Sequence, residues 1–125
     1  SIKDEFGKVH KMANILPFCS KKGKLSVGYR YLKGVKDSLL IKENQILKGH
    51  EFHYWQIEEK SSKRRINKNS LNNFSYPWSI KSWGDDFINE GWISNNLHAS
   101  WIHLHLPSNH EVARNFINII ERFSK

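Results

Sequence analysis

The sequence contains one cysteine, Cys19, so no internal disulfide can form, and a reducing compartment is the simplest interpretation. It has no run of about 18 consecutive apolar residues, the minimum for a transmembrane helix. The charged first residues lack the apolar core of a signal peptide, and no internal repeat or Gly/Ser-rich linker is present. These absences predict a cytoplasmic protein without a membrane partner, folded as one domain or part of one.

Positive charge is in excess, with 20 Lys and Arg residues against 12 Asp and Glu residues and a formal net charge of +8. Such an excess raises the possibility of an acidic partner such as nucleic acid. One basic group lies at residues 21–24, and another, Lys63 to Lys68, lies in a polar stretch (61–73) typical of a loop. Runs of charge are usually solvated surface, so we predict no nucleic-acid partner. A small basic nucleic-acid-binding module remains an alternative.

The first half of the chain has several strand patterns. Residues 12–17 form an apolar run closed by proline, which is consistent with a strand, and residues 21–23 favour a turn. Residues 24–33 alternate and predict a half-buried strand in which Gly28 marks a bulge or a close backbone approach. The apolar face of that strand would consist of Leu25, Val27, Tyr29 and Tyr31.

Residues 49–58 also alternate, and they carry unusual ionisable groups. One side would hold His50, Phe52 and Tyr54, and the other side Glu51, His53 and Trp55. Aromatic residues suit a strand, but a carboxylate and two histidines do not suit an ordinary core. We therefore expect this segment to have a role besides packing.

The second half of the chain has weaker strand signals. Residues 74–83, interrupted by Pro77, predict an edge or irregular strand. Residues 87–93 predict a short strand pair or a strand bent at Gly91, and Asn95 and Asn96 predict a turn.

The C-terminal segment predicts a strand, a turn and a helix. Residues 99–106 favour one extended strand that ends at Pro107 and places His103 and His105 on the same face. Ser108 and Glu111 have the spacing of a capping box, so a helix should begin there. Its apolar stripe would consist of Val112, Phe116, Ile119, Ile120 and Phe123.

Three interpretations of the histidine pair remain open from the residues alone. Both histidines could be structural, or they could bind a metal together with His50 or His53 and Glu51, although an H-x-H pair is a weak signal and we predict no metal. One could instead be a general base that activates a nucleophile. Cys19 is a poor nucleophile candidate, because it lacks flanking glycines and a following helix pattern.

Four motifs together resemble the cobyrinate a,c-diamide synthase family of class I glutamine amidotransferases, near its C-terminal end. They occur in the family's order and cover nearly the whole chain from about Met12: M-A-N-I-L-P (12–17), L-S-V-G-Y-R (25–30), G-H-E-F-H-Y (49–54) and A-S-W-I-H-L-H-L (99–106). The resemblance implies an α/β fold, namely part of a flavodoxin-like class I glutamine amidotransferase domain with additional antiparallel strands and a C-terminal helix. It also implies ATP- and glutamine-dependent amidation of corrinoid carboxylates in cobalamin biosynthesis.

The resemblance also implies roles for particular residues. His103 occupies the position of the histidine that activates a cysteine nucleophile, and His105 stands where other class I amidotransferases have a glutamate. The nucleophile elbow and the synthetase domain that uses ATP and Mg²⁺ would lie outside residues 1–125. We therefore expect no cofactor in this chain, which starts at Ser1, and no glutaminase activity from it alone.

The remaining expectations concern partners and neighbouring residues. L-glutamine and, through the synthetase domain, a corrinoid would be the substrates, with a related tetrapyrrole pathway as an alternative. His50, Glu51 and His53 would either line the glutamine site or an interdomain contact, or form a structural cluster. His98 and His110 are predicted at the surface, and Trp101 is predicted to serve packing.

Overall fold

The computed structural model describes residues 1–58, 74–82 and 86–123. Within these ranges nine strands precede a 3₁₀ turn (Leu106–Ser108) and one helix, α1 (His110–Phe123). The strands are β1 (Ile2–Lys3), β2 (Val9–His10), β3 (Ser20–Gly34), β4 (Ile46–Ile57), β5 (Trp78–Lys81), β6 (Ile88–Glu90), β7 (Trp92–Ser94), β8 (Leu97–Ala99) and β9 (Ile102–His103). None of the described helical residues forms a segment long and apolar enough to cross a membrane. The fold is α/β with a mixed sheet, as predicted at this level.

The chain divides into two compact units, and β3 and β4 contribute to both of them. The first unit comprises residues 1–26 and 53–74, and the second comprises residues 27–52 and 75–125. In the first unit, β1 pairs antiparallel with β2 and parallel with the start of β3. The basic stretch at 61–73, on which the nucleic-acid alternative rests, lies outside the described residues.

Two expectations for the first unit are wrong. Residues 12–17 contain no strand, because Asn14 adopts a left-handed backbone conformation with φ of 57° that interrupts an extended chain. Residues 21–23 are not a turn but part of β3, where Ser20 and Lys21 pair with β1. The amide of Gln56 packs against Gly23 and donates to the carbonyl of Lys24, which holds this part of β3 extended.

In the second unit, five strands form one sheet in the order β6, β5, β3, β4, β9. β5 follows Pro77 and pairs antiparallel with both β3 and β6, so it is an inner strand and the predicted edge strand is wrong. β6 ends at Glu90, and Gly91 joins it to a separate hairpin, β7 and β8, whose turn contains Asn95. This bend and turn confirm the sequence prediction for residues 87–96.

The core of the second unit lies on one side of this sheet and includes one residue of α1. Its buried members are Leu32, Ile41, Leu47, Trp78, Ile80, Ile102 and Val112. β3 contributes to it through the face that carries Leu32, whereas Val27 and Tyr29 on the other face are 50% and 76% exposed. The apolar face predicted to be buried is therefore the exposed one.

The predicted C-terminal helix is confirmed and begins at His110, one residue later than a helix capped by Ser108 would, and the Ser108 side chain of the predicted capping box lies outside the described residues. Asn109 accepts the first helical hydrogen bonds through its carbonyl, and the Glu111 carboxylate accepts one from the Gln45 amide. Of the predicted apolar stripe, Val112 is fully buried, while Phe116 and Ile120 are about 40% exposed.

Candidate functional site

The structure places His103 at the end of β9, immediately before the 3₁₀ turn and α1. β9 pairs antiparallel with β4, with His103 opposite His50 and Ile102 opposite Glu51. Ile102 is 8% exposed and belongs to the core, whereas His103 is exposed. Because successive residues of a strand point to opposite faces, the burial of Ile102 directs His103 to the solvent-facing side of the sheet.

His50 shares that face with His103. Directly opposed residues of an antiparallel pair point to the same side, so the two side chains are neighbours. On its other side His50 meets Tyr29 of β3, with ring centroids 5.4 Å apart in an edge-to-face arrangement. Two imidazoles and a phenol therefore line one patch of the exposed sheet face, which we call the histidine face (Tyr29, His50 and His103).

Glu51 lies on the opposite face of β4 and is not part of the histidine face. It is 8% exposed, and its carboxylate accepts a 2.8 Å hydrogen bond from Nε of Arg30. Arg30 also donates to the carbonyl of Tyr29, and the guanidinium passes so close to Gly28 that a Cβ there would lie 2.9 Å from Nη1. The close neighbour of Gly28 is thus a side chain and not the backbone approach that the sequence predicted, and the ion pair joins two of the motifs that carry the family resemblance.

The remaining predicted histidines have separate environments. His53 belongs to the first unit, where its Nδ1–H donates to the carbonyl of Trp55 at 2.7 Å. His105 follows the end of β9 and is exposed, with its backbone still extended. His110 is exposed at the start of α1, as predicted.

His98 was expected at the surface, and this expectation is wrong. Its ring packs on Trp78 with centroids 4.6 Å apart, and Nδ1 lies 3.1 Å from the hydroxyl of Ser38. Nε2 is buried without a hydrogen-bond partner among the described residues. This burial disfavours the charged imidazole and lowers the pKa of His98 to about 4.

The carboxylate of Glu90 is a feature that sequence reasoning missed. It accepts hydrogen bonds from Nε1 of Trp78 at 2.6 Å, from Oγ of Ser100 at 2.6 Å and from the backbone N–H of Trp101 at 3.0 Å. Ser100 Oγ in turn accepts from the N–H of Ile102 at 2.8 Å. The single strand predicted over 99–106 is wrong, because the chain bends at Trp101, where these bonds hold it, and β8 and β9 are separate strands.

The described residues do not support a metal site. Across residues 1–58, 74–82 and 86–123 no group of three or more His, Cys, Asp or Glu side chains is placed to hold an ion. Two surface depressions beside α1 are lined by residues of the β3–β4 connection, of the β7–β8 turn and of the helix, and not by His103. Cys19 lies in the first unit, directly before β3.

Eight curated relatives share one name, cobyrinate a,c-diamide synthase. The protein from Salmonella typhimurium is 29% identical over 98% of this chain and 25% of its own length. The protein from Gloeobacter violaceus is 32% identical over 89% of this chain and 21% of its own length. The protein from Saccharolobus solfataricus is 34% identical over 84% of this chain and 22% of its own length. No protein-family model matches the chain, and no solved structure matches it significantly.

These relatives are synthases by name, and the chain is similar to one part of each of them. More particularly, the chain corresponds to the C-terminal part of the cobyrinate a,c-diamide synthase family, and the predicted resemblance is confirmed. It spans about a quarter or less of the length of these relatives.

Proposed function

We propose that this chain is the C-terminal part of the glutaminase domain of a cobyrinate a,c-diamide synthase-like protein. The whole protein would use ATP and glutamine to amidate corrinoid carboxylates, and the domain would have the flavodoxin-like fold of class I glutamine amidotransferases. The observation that carries the proposal is the position of His103. It lies in the motif that resembles the family's histidine motif, and β9 holds it exposed on the histidine face, opposite His50.

His103 would act as the general base toward a cysteine thiol that residues outside this chain supply. The imidazole takes the thiol proton, and the thiolate attacks the amide carbon of glutamine. The tetrahedral intermediate collapses to a thioester as protonated His103 returns the proton to the departing ammonia. Water then hydrolyses the thioester to glutamate and regenerates the thiol. An exposed imidazole on a sheet suits these reaction steps, because the nucleophile and the substrate must both reach it.

The neighbouring residues take different parts in this proposal. His50 shares the face of His103, which favours a role in lining the glutamine site. Glu51 is paired with Arg30 on the other face, and His53 is bonded to a backbone carbonyl, so both serve the fold. ATP and Mg²⁺ would belong to the synthetase domain that the family resemblance implies outside these residues.

The test is glutamine hydrolysis by the full-length natural protein that carries these residues. We expect His103→Ala to lower kcat by about 10²–10⁴-fold, the usual contribution of a positioned general base. His110→Ala is the matched control, because it removes another exposed histidine that lies outside β9. The 125 residues alone should release no ammonia. A His103→Ala variant as fast as its parent would show that the histidine has no catalytic role.

A further inference from the structure

The catalytic role proposed for His103 requires a fixed register of β9 on β4, yet β9 is only two residues long. A slip by one residue would turn His103 toward the face that holds Arg30 and Glu51. Two residues provide few ladder hydrogen bonds to prevent such a slip. Other contacts must therefore define the register.

One of these contacts is the packing of the Ile102 side chain against Gly49. A Cβ at Gly49 would overlap the Ile102 side chain and lie 3.2 Å from the carbonyl oxygen of His103. The absence of a side chain at Gly49 thus lets Ile102 enter the core directly before His103. This contact determines where Ile102 lies but does not hold the chain that enters β9.

The chain that enters β9 is held by the Glu90 carboxylate. Its two oxygens accept from Ser100 Oγ and from the N–H of Trp101, the two residues before β9, and Ser100 Oγ accepts from the N–H of Ile102. The carboxylate is itself held by Nε1 of Trp78, a core residue that pairs with Glu90 across β5 and β6. Hydrogen bonds to an ionised acceptor are about twice as strong as neutral ones, so this network strongly favours a single path for the chain.

We propose that Glu90 is a positioning residue, which sets the register of β9 and thereby directs His103 onto the histidine face. The importance of Glu90 for catalysis rests on the function proposed above. Its effect on the register of β9 is independent of that function. Glu90 does not touch the histidine face in this arrangement, and it acts through Ser100 and Trp101.

The register can be measured by disulfide trapping in the full-length protein. Cα atoms of directly opposed antiparallel residues lie about 4.5–5.5 Å apart, which suits a disulfide. With Cys19 and every cysteine outside these 125 residues replaced by serine, the proposed nucleophile included, the pair His50→Cys and His103→Cys should crosslink in a glutathione redox buffer, as mapped by peptide mass spectrometry. Adding Glu90→Ala should lower the yield about tenfold or more, since lost bonds to a charged acceptor shift an equilibrium by at least that factor.

Two further variants distinguish a loss of register from a general loss of folding. Ser100→Ala removes one of the bonds and leaves the Trp101 N–H on the carboxylate, so we expect an intermediate loss of crosslinking. Glu111→Ala removes another hydrogen-bonded carboxylate, which contacts Gln45 rather than the entry to β9, and should leave the yield unchanged. An unchanged yield in Glu90→Ala, or an equal loss in Glu111→Ala, overturns the proposal.

The second measurement is glutamine hydrolysis by the full-length protein in which His50 and His103 are retained. We expect Glu90→Ala to lower kcat for glutamine hydrolysis by about 10²-fold, because a small displacement of a catalytic group costs that much, while KM changes little. Glu90→Gln keeps one acceptor oxygen and should recover part of this loss. If the parent hydrolyses no glutamine while Glu90→Ala still loses the crosslink, the proposed function fails and the positioning role stands. If the parent is active and Glu90→Ala keeps both its kcat and the crosslink, the positioning role fails and the proposed function stands.

Discussion

His50 and His103 lie directly opposite each other on β4 and β9, so their imidazoles are neighbours on the exposed face of the sheet. The two histidines come from different motifs that are about fifty residues apart in the sequence. Pairing of the two strands brings these motifs together, and Tyr29 of a third motif packs against His50. Three of the four motifs that resemble the family thus meet at one place, the histidine face.

His50→Ala tests whether His50 helps to bind glutamine. We expect the variant to raise KM for glutamine and to lower kcat by much less than His103→Ala, because a residue that lines a site without moving protons contributes mainly to binding. Steady-state kinetics of the full-length protein measure both constants. Lys48→Ala is the control on the same strand, since Lys48 lies over the ring of Tyr31. A loss of kcat in His50→Ala as large as that in His103→Ala would assign His50 a direct part in catalysis.

Removing one partner of the Arg30–Glu51 pair should destabilise the second unit. Both side chains are largely buried, with 16% and 11% of their surfaces exposed, so a single substitution leaves a charge without its partner in the core. We expect Glu51→Ala to lower the free energy of unfolding by about 3 kcal/mol. Urea unfolding measures this change. The double variant Arg30→Met with Glu51→Leu should lose less than Glu51→Ala, and a larger loss would mean that the pair itself stabilises the fold.

Gly49→Ala should displace Ile102, because the added methyl group overlaps its side chain. We expect a loss of about 1–3 kcal/mol in the free energy of unfolding, the usual cost of overpacking. In Gly49→Ala, the additional substitution Ile102→Ala should cost less stability than it does in the parent, because the smaller side chain relieves the overlap. A double-mutant cycle measures this coupling between the two positions. Strictly additive effects of the two substitutions would contradict the close contact.

The half-buried His98 predicts a pH dependence of stability. Its pKa in the folded state is lowered by burial from 6.5 to about 4, so protonation favours the unfolded chain. The stability that the neutral ring provides is complete above about pH 6.5 and is lost as the pH falls toward 4. We expect the unfolding midpoint in urea to fall between pH 7.5 and pH 5, and to fall less in His98→Gln. His110→Gln, which removes an exposed histidine, should behave like the parent.

Sequence periodicity predicted which side chains share a face more reliably than which face is buried. The alternation of β4 is confirmed, since Leu47, Gly49 and Glu51 are buried between more exposed neighbours. In β3 the apolar face is exposed, because the strand carries Arg30 and Leu32 on its buried side. An arginine on a core face is tolerated only with a partner, and that partner lies on another strand, 21 residues further along. Local patterns contain no information about such a pair.

The same reason explains why the Glu90 network was missed. Its donors lie 10 to 12 residues away in sequence, and one of them is a backbone N–H, which no residue pattern reveals. The signal that was available is Glu90 next to Gly91. Gly91 has a φ of 83° and is packed against Pro77 and Ala99, so the chain turns sharply after the carboxylate.

The exposed apolar side of the sheet also has a practical consequence. Val27, Tyr29 and Phe52 are each at least half exposed on the second unit, the first two at alternate positions of β3 and the third on the neighbouring strand β4. Contiguous apolar surface of this kind promotes self-association in solution. Purified on their own, these 125 residues should form larger species as their concentration rises, and light scattering should show a smaller tendency after Tyr29→Ser and Phe52→Ser.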